Sequence, residues 1–553
     1  QFSYLPCKAL NCRTPFYSRI VLPFFFNHQN LKMKQLLSFL LGFLFLPVFI
    51  MAQQNWSPEQ CLKLKNISAA IASPDGSRVL YTVREAVMTD ERSEFVNQVW
   101  VCNADGSAHV QLTRGDKNAA SPRWSPDGKW ISFTSNRDGK TNLYLLPAAG
   151  GESEKITDVK TAVGIYAWSP DGNKIAFQML DAAESKEEKD KKAKNDWYFM
   201  DEVVKQNRLY VLSLNNKDSA GKYKQKKLST GNYNINSFDW SPDGKTIAYS
   251  FGKTPEANDN NYSDVSLIDI ETDKASSVAA TGASESTPMF SPDGKLLAYY
   301  CTTDPVDWPG AKHVKIYSLS DGKLWRLKST PDESGSMIGW TPDGKNILFS
   351  EANKSLGGIY MLSVDGKNCT EWTKGITDLI QGGTPNANGT HLTFILQNPS
   401  KFPEAYISPM NQYGPVQLTK LHDDKSAKAL PKTEVIKWKG ADGMMIEGLL
   451  TYPIGYQPGQ KVPFILNIHG GPAGVFSQAC VAGNGGAYPI AAFAEQGYAI
   501  LRPNPRGSTG YGTAFRQANR ADWGGKDYID IMNGVDQVIK MGEIVVFIRL
   551  FCS

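Results

Sequence analysis

Two short stretches near the C-terminal end of this 553-residue chain carry the residue types of acyl-transfer chemistry. The first is His469-Gly470-Gly471-Pro472, which follows the largely apolar run Val462-Pro463-Phe464-Ile465-Leu466-Asn467-Ile468. Glycines at the end of a buried strand let backbone N–H groups face a developing oxyanion. On residue type alone, His469 either donates to that oxyanion or merely ends the strand. The second stretch is the Gly-rich loop Asn504-Pro505-Arg506-Gly507-Ser508-Thr509-Gly510-Tyr511-Gly512. A nucleophilic serine of this chemistry belongs in a Gly-x-Ser-x-Gly elbow. No serine here has glycine at both the second position before and the second after. Ser508 comes nearest, with Gly510 following and Arg506 preceding it. No histidine occurs after His469.

Other chemistries are poorly supplied. The chain has six histidines, widely spread, and no His-Glu-x-x-His, which argues against a zinc peptidase. Cys61, Cys102, Cys301, Cys369 and Cys480 show no tight spacing and no Cys-x-x-Cys, so neither a metal nor a cofactor is expected, and at most one or two bridges. The net charge is +4 with Lys and Arg scattered, which points to no nucleic-acid partner.

The elements that must position the glycine loops read as a strand-and-helix domain. Lys432–Lys439 and Gly443–Tyr452 form a hairpin, and Val462–Ile468 and Tyr498–Arg502 are buried strands of a parallel sheet. Helices are predicted from Tyr488 to Glu495 and from about Tyr528, the latter with Ile529, Met532, Val535 and Ile539 on one face.

Upstream, one turn phrase keeps returning. It reads Ala72-Ser73-Pro74-Asp75-Gly76, then recurs at Trp124–Gly128, Trp168–Gly172, Trp240–Gly244, Phe290–Gly294 and Trp340–Gly344. A worn copy, Thr384-Pro385 to Asn388-Gly389, closes the series. Pro presets the first corner, Asp bonds its own backbone, and Gly takes the left-handed position. The copies lie roughly fifty residues apart and are followed by short alternating strands, a period that fits four-stranded propeller blades. Seven copies predict a seven-bladed β-propeller, with each aromatic packed between neighbouring sheets. The long gap after the third turn holds a charged run, Glu184–Lys192, expected to be a solvated helix or loop, and then Asp196-Trp197 and Asp201-Glu202. Asp201 and Glu202 either hold the amino group of a peptide or serve as a surface ion pair or helix cap.

Near the N-terminus, Met33-Lys34, an apolar run from Leu36 to Ile50 and Ala52 read as a secretory signal spanning 33–52. The competing reading is a membrane anchor, for which the Pro47-broken core is short. Residues 1–32 then lie upstream of the true start, and no stable membrane span remains after cleavage. The expected domains are the propeller at 53–430, the first part of an α/β-hydrolase domain at 431–542, and an unrelated tail at 543–553.

Propeller turns, His-Gly-Gly-Pro and Arg-Gly-Ser-Thr-Gly-Tyr-Gly in this order resemble the prolyl oligopeptidase family of serine peptidases over roughly Ser57 to Gly542. The Asn-Pro-Arg-Gly-Ser form with a secretory signal is most similar to the branch of secreted dipeptidyl and acylaminoacyl peptidases. The resemblance implies a β-propeller followed by a partial α/β-hydrolase domain, with short peptides as partners admitted to a chamber between them. It places His469, Gly470 and Gly471 beside the oxyanion and Arg506 in the substrate-side loop. It also implies a Ser, His and Asp that these residues do not supply. The chain as written is therefore expected to be inactive, the tail from Glu543 being the mark of a frameshift or premature stop and leaving the sheet with an open edge. The alternative is a non-catalytic propeller, similar to TolB-type proteins, that binds peptides or envelope proteins.

Overall fold

The recurrent turn closes on itself. In its second copy the Ser125 hydroxyl donates to Asp127 Oδ1 (2.6 Å) and the Lys129 N–H donates to the same oxygen (3.1 Å). The Trp130 N–H donates to Ser125 Oγ (2.9 Å), and Gly128 takes φ 70°. The same pattern holds at Ser73, Ser169, Ser241, Ser291 and Thr341. In the worn copy Asn386 replaces the pair, its Oδ1 accepting from the Thr390 and His391 N–H groups. These turns also stack. The glycine of one turn lies on the proline of the turn before it, Gly128 on Pro74, Gly172 on Pro126 and Gly244 on Pro170, at van der Waals distance, and its positive φ is what disfavours any other residue there.

A computed structural model describes residues 56–553 except 196, 198–203, 230, 308–309, 426–427, 472, 484–487, 543 and 553. Among the described residues, seven four-stranded antiparallel sheets, each built from consecutive strands, occupy Asn66 to Gln417. The aromatic before each turn does bridge neighbours: Trp124 Nε1 donates to Ile71 O (3.1 Å) and Trp168 Nε1 to Ser132 Oγ (2.8 Å). First and last sheets meet, Ile67, Ala70 and Tyr81 packing with Ala405, Ile407 and Leu418. Asn386 Nδ2 donates to Ser73 O and Pro74 O across the same join. The short Leu-Thr strands are the outermost of their sheets, and their threonines cap a neighbouring strand, as Thr113 Oγ1 does for the Val99 N–H (2.8 Å).

The long gap falls inside the third sheet, between Lys174–Leu180 and Asn207–Lys217. Its charged run forms the helix Ser185–Lys192, stabilised by acidic residues in the first turn and lysines in the last. Asp201 and Glu202 lie outside the described residues. No helix among the described residues is long and apolar enough to cross a membrane. Cys61, Cys102, Cys301, Cys369 and Cys480 are free thiols.

The C-terminal sheet has five strands in the spatial order Thr433–Lys439, Met445–Thr451, Ala499–Asn504, Val462–Ile468 and Ile544–Cys552. The first two form the expected hairpin, and the last three run parallel. The residues read as an unrelated tail thus carry a strand that pairs with Val462–Ile468, and the sheet does not end at Gly542. The cause is plain in Ile544-Val545-Val546-Phe547-Ile548, an apolar β-branched run of the kind a parallel sheet takes up. The helix Lys526–Lys540 differs from expectation in its inward face. Ile531, Val535 and Val538 are buried against Trp438, Phe464 and Leu501, while Ile529 and Ile539 are exposed. Gly534 sets that rotation, because its bare backbone rests on the Trp438 ring.

Candidate active site

His469 leaves the end of Val462–Ile468 and turns back onto the Gly-rich loop. Its Nε2 lies 3.0 Å from Ser508 Oγ and its Nδ1 3.1 Å from Gly470 O. The Ser508 hydroxyl donates to Pro505 O (2.7 Å), which leaves its oxygen as the acceptor toward His469 Nε2. Burial holds the His469 imidazole below its ordinary pKa, with the Gly470 carbonyl opposing weakly. The ring is therefore neutral at pH 7 and its single proton serves one of these two contacts at a time.

A Ser–His distance of this size invites a nucleophile–base reading, and two observations exclude it. Ser508 is 1% exposed, with its proton committed to a carbonyl. Behind His469 Nδ1 stands a peptide carbonyl where an orienting carboxylate would be needed. The pair instead ties the strand end to the Gly-rich loop.

The loop around Gly470 and Gly471 is tight. Gly471 has φ 125°, and a Cβ on Gly474 would lie 2.4 Å from Gly470 O. Thr509 fastens the far side, its N–H donating to Gly474 O (3.1 Å) and its hydroxyl to Ala473 O (2.5 Å). Pro472 lies outside the described residues. Asn504 completes the frame, accepting from the Phe476 N–H (2.7 Å) and donating to Phe476 O (3.0 Å).

Arg506, expected in the substrate-side loop, is 2% exposed and all three of its nitrogens are engaged. Nε donates to Asp530 Oδ2 (2.7 Å), Nη1 to Asp442 Oδ2 (3.1 Å), and Nη2 to Ala441 O, Asp442 Oδ1 and Asp530 Oδ1. A guanidinium spent on two carboxylates has no fork left for a peptide. Asp442 is held down at about 2, its bond from Arg506 being the largest cause. Arg506 thus joins the Gly-rich loop to the hairpin corner and the helix Lys526–Lys540.

The propeller meets these loops through polar contacts that no motif announces. Arg516 Nη1 donates to Asp332 Oδ2 (2.8 Å) and Asp332 O (2.8 Å), and the Gly512 N–H donates to Asp332 Oδ1 (2.7 Å). Thr513 Oγ1 donates to Glu333 Oε2 (2.7 Å), and the Lys354 N–H donates to Gly510 O (2.7 Å). Asp332 is itself fixed by Glu351, which accepts from the Asp332, Ser334 and Gly335 N–H groups. Beside this clamp lies a cavity of about 730 Å³, lined by Gly471, Ala473 and Thr509 from one side and by Asn236, Ser286 and Tyr300 from the propeller. Partners such as Arg516 and Asp332 stand too far apart in the chain for any spacing signal to mark them. Among the described residues no group of acids, histidines and cysteines could hold a metal.

Comparison with known proteins agrees with this architecture. The TolB beta propeller domain matches residues 59–201 and 195–444, and the prolyl oligopeptidase family matches residues 487–552. That second match runs through the strand Ile544–Cys552, past the Gly542 limit read from sequence. The chain is 28% identical to an uncharacterized peptidase, YuxL, of Bacillus subtilis, across 85% of this chain and 73% of that protein. It is 24% identical to dipeptidyl-peptidase 5 of Porphyromonas gingivalis, across 88% and 73%. The fold is similar to that of Pyrococcus horikoshii acylaminoacyl peptidase, with TM-score 0.70 and 19% identity over 90% of this chain and 75% of that one. A puromycin-hydrolyzing peptidase of Mycobacterium tuberculosis gives TM-score 0.63 at 16% identity, over 90% and 76%. The chain thus carries a TolB-type propeller, and the α/β sheet with its Gly-rich loop that follows is similar to the prolyl oligopeptidase family of peptidases, whose match covers residues 487–552.

Proposed function

We propose that residues 53–542 form the substrate-binding and oxyanion side of a secreted serine exopeptidase that removes dipeptides or acylated amino acids from short peptides. Residues 33–52 act as its export signal. The observation that carries the reading is the cavity of about 730 Å³ between propeller and sheet, which has Gly471 and Thr509 on its wall. Its size suits a short extended peptide and excludes a folded protein. In that reading a serine attacks the scissile carbonyl, a histidine takes the serine proton, and backbone N–H groups at Gly470 and Gly471 receive the oxyanion. His469 contributes by holding that loop against Ser508. Similarity to the dipeptidyl-peptidase 5 of Porphyromonas gingivalis supports release of dipeptides, and the fold shared with the Pyrococcus horikoshii acylaminoacyl peptidase supports release of acylated residues. A binding-only propeller has no use for the sheet, the Gly-rich loop and the clamp at Asp332.

The 553 residues hold no Gly-x-Ser-x-Gly and no histidine after His469, so this chain alone is expected to give no turnover. The test begins with the DNA across and beyond the codons for Val538 to Ser553. A product that continues into a serine elbow with later Asp and His is assayed on dipeptidyl and acetyl-aminoacyl anilides, and the preferred substrate decides between the two activities. Turnover by the 553-residue chain that a serine-directed inhibitor abolishes would overturn the assignment of the nucleophile. Failure of the longer product to cleave either substrate would overturn the exopeptidase reading.

A further inference from the structure

A second cavity, of about 360 Å³, lies where the start of the first propeller strand, the last four-stranded sheet and the C-terminal sheet come together. It shares no lining residue with the chamber beside Gly471. Arg502 lines it. The pairing Ile465↔Ile500 and Leu466↔Leu501 carries on by one step to bring Asn467 alongside Arg502, on the face that also bears Ile465 and Ile500. That face is otherwise apolar, packed with Ile490 and Val481.

Arg502 is 7% exposed, and among the described residues no carboxylate pairs with it. Its Nε has no partner, and Nη2 makes one long contact, 3.5 Å, to Thr451 Oγ1. The guanidinium also sits 5.7 Å from the Phe476 ring centroid. Asn467, 5% exposed, leaves its Oδ1 unpartnered beside it. Every lining residue of the cavity is neutral or cationic: Lys65 and His422 are present, and no Asp or Glu is. His422 is itself hydrogen-bonded to Glu404, at 3.0 Å, and Lys65 is paired with Glu85, at 2.9 Å. Burial alone pushes the Arg502 pKa down, to about 10, with no opposing charge in reach. A lone buried guanidinium is strongly unfavourable unless something brings the counter-charge.

The geometry points to an anion site: Arg502 receives the carboxylate of a small organic molecule in this cavity, with Asn467 as the flanking hydrogen-bond group. A carboxylate matches the planar fork of a guanidinium, and an amide beside it can turn either its oxygen or its nitrogen toward the ligand. The carboxylate has two sources of the same chemistry, a free organic acid or the C-terminus of a short peptide. The site stands independently of the exopeptidase reading. It meets the active-site loop at Val475 and Phe476, the Phe476 ring lying 5.2 Å from that of His469.

Thermal unfolding of the 553-residue chain tests it at fixed ionic strength, with sodium chloride as the reference and acetate, triglycine and triglycine amide as probes. Ligand at about a hundredfold above Kd raises the midpoint by about 2–5 °C. A rise with triglycine but not with its amide or acetate identifies a peptide C-terminus, and a rise with acetate as well identifies a general small-acid site. In Arg502→Met the rise disappears for every probe. Should that variant fail to fold, Arg502→Lys keeps the charge and loses the fork, and the apparent affinity falls at least about tenfold. No rise above chloride with either carboxylate, or an undiminished rise in the variants, overturns the site.

Discussion

The propeller and the C-terminal sheet hold themselves together over different distances. In each propeller turn the deciding bonds join residues two to five apart, as between Ser125, Asp127 and Trp130. In the sheet and its docking face they join Arg506 to Asp442, 64 residues away, and Arg516 to Asp332, 184 away. A short-range device can be copied along a chain and read from it. A long-range one is built once, from residues that look ordinary where they stand. The first kind yields a robust scaffold and the second determines where that scaffold meets the chemistry.

The sharpest way to break this contrast is at the clamp. Asp332 and Arg516 are both almost fully buried, with side chains 1% and 3% exposed. Asp332→Ala strands a guanidinium and frees the Gly512 N–H, and is expected to destabilise the docked state by about 3–5 kcal/mol. Chemical denaturation followed by tryptophan fluorescence reads this as a lower midpoint. The double variant Asp332→Ala with Arg516→Met removes both charges and should recover much of the loss. Equal losses in single and double variants would mean that the pair is not coupled and that apolar packing alone docks the sheet.

A smaller effect belongs to Gly534. A Cβ there would lie 2.6 Å from Trp438 Cζ2, and the ring cannot retreat because its Nε1 donates to Asp530 O (2.7 Å). Overpacking costs about 1–3 kcal/mol, and the better helix propensity of alanine returns at most about 1 kcal/mol. Gly534→Ala is therefore expected to lose about 1–2 kcal/mol in equilibrium denaturation, and a neutral or stabilised variant would show that the helix can lift off the sheet.

Gly534 also shows where the sequence stopped being legible. Helical periodicity located the element Lys526–Lys540 but chose Ile529 and Ile539 as its inward residues, because hydrophobicity cannot see a tryptophan ninety-odd positions upstream. The bonding of Arg506 was hidden in the same way: its loop was found from glycines, whereas its two carboxylate partners come from a hairpin corner and a helix. Asp332, Arg516 and Arg502 carried no signal at all. By contrast, the propeller turns were readable down to the hydroxyl–carboxylate pair, and the hairpin and the strand before His469 appeared within two residues of their expected places. The strand Ile544–Cys552 lies between these cases, since its composition is strand-like but its pairing with Val462–Ile468 is remote.

The smallest effect sharpens the comparison through acid. Asp75 is held at about 2, most of all by the Ser73 hydroxyl, and Asp127, Asp243, Asp293 and Asp343 are lowered first by the same kind of neighbour. A carboxylate whose folded pKa lies below its unfolded value of about 3.9 stabilises the fold above that value, and the contribution fades as pH falls through the folded pKa. The propeller should therefore lose stability between about pH 4 and pH 2. Ser73→Ala removes a donor to Asp75 and an acceptor for the Arg78 N–H. It should cost about 1 kcal/mol at pH 7 and return the Asp75 pKa toward its ordinary value. Asp442 is lowered to about 2 as well, but its partner is the Arg506 guanidinium. A neutral hydroxyl is indifferent to ionic strength, whereas an exposed carboxylate beside a cation is screened by it. Carbon-13 titration of both carboxyls at low and high salt separates the two regions: Asp442 should climb with salt while Asp75 stays. If both climb together, the turns rest on long-range charge as much as the sheet does, and the distinction between local and remote fails.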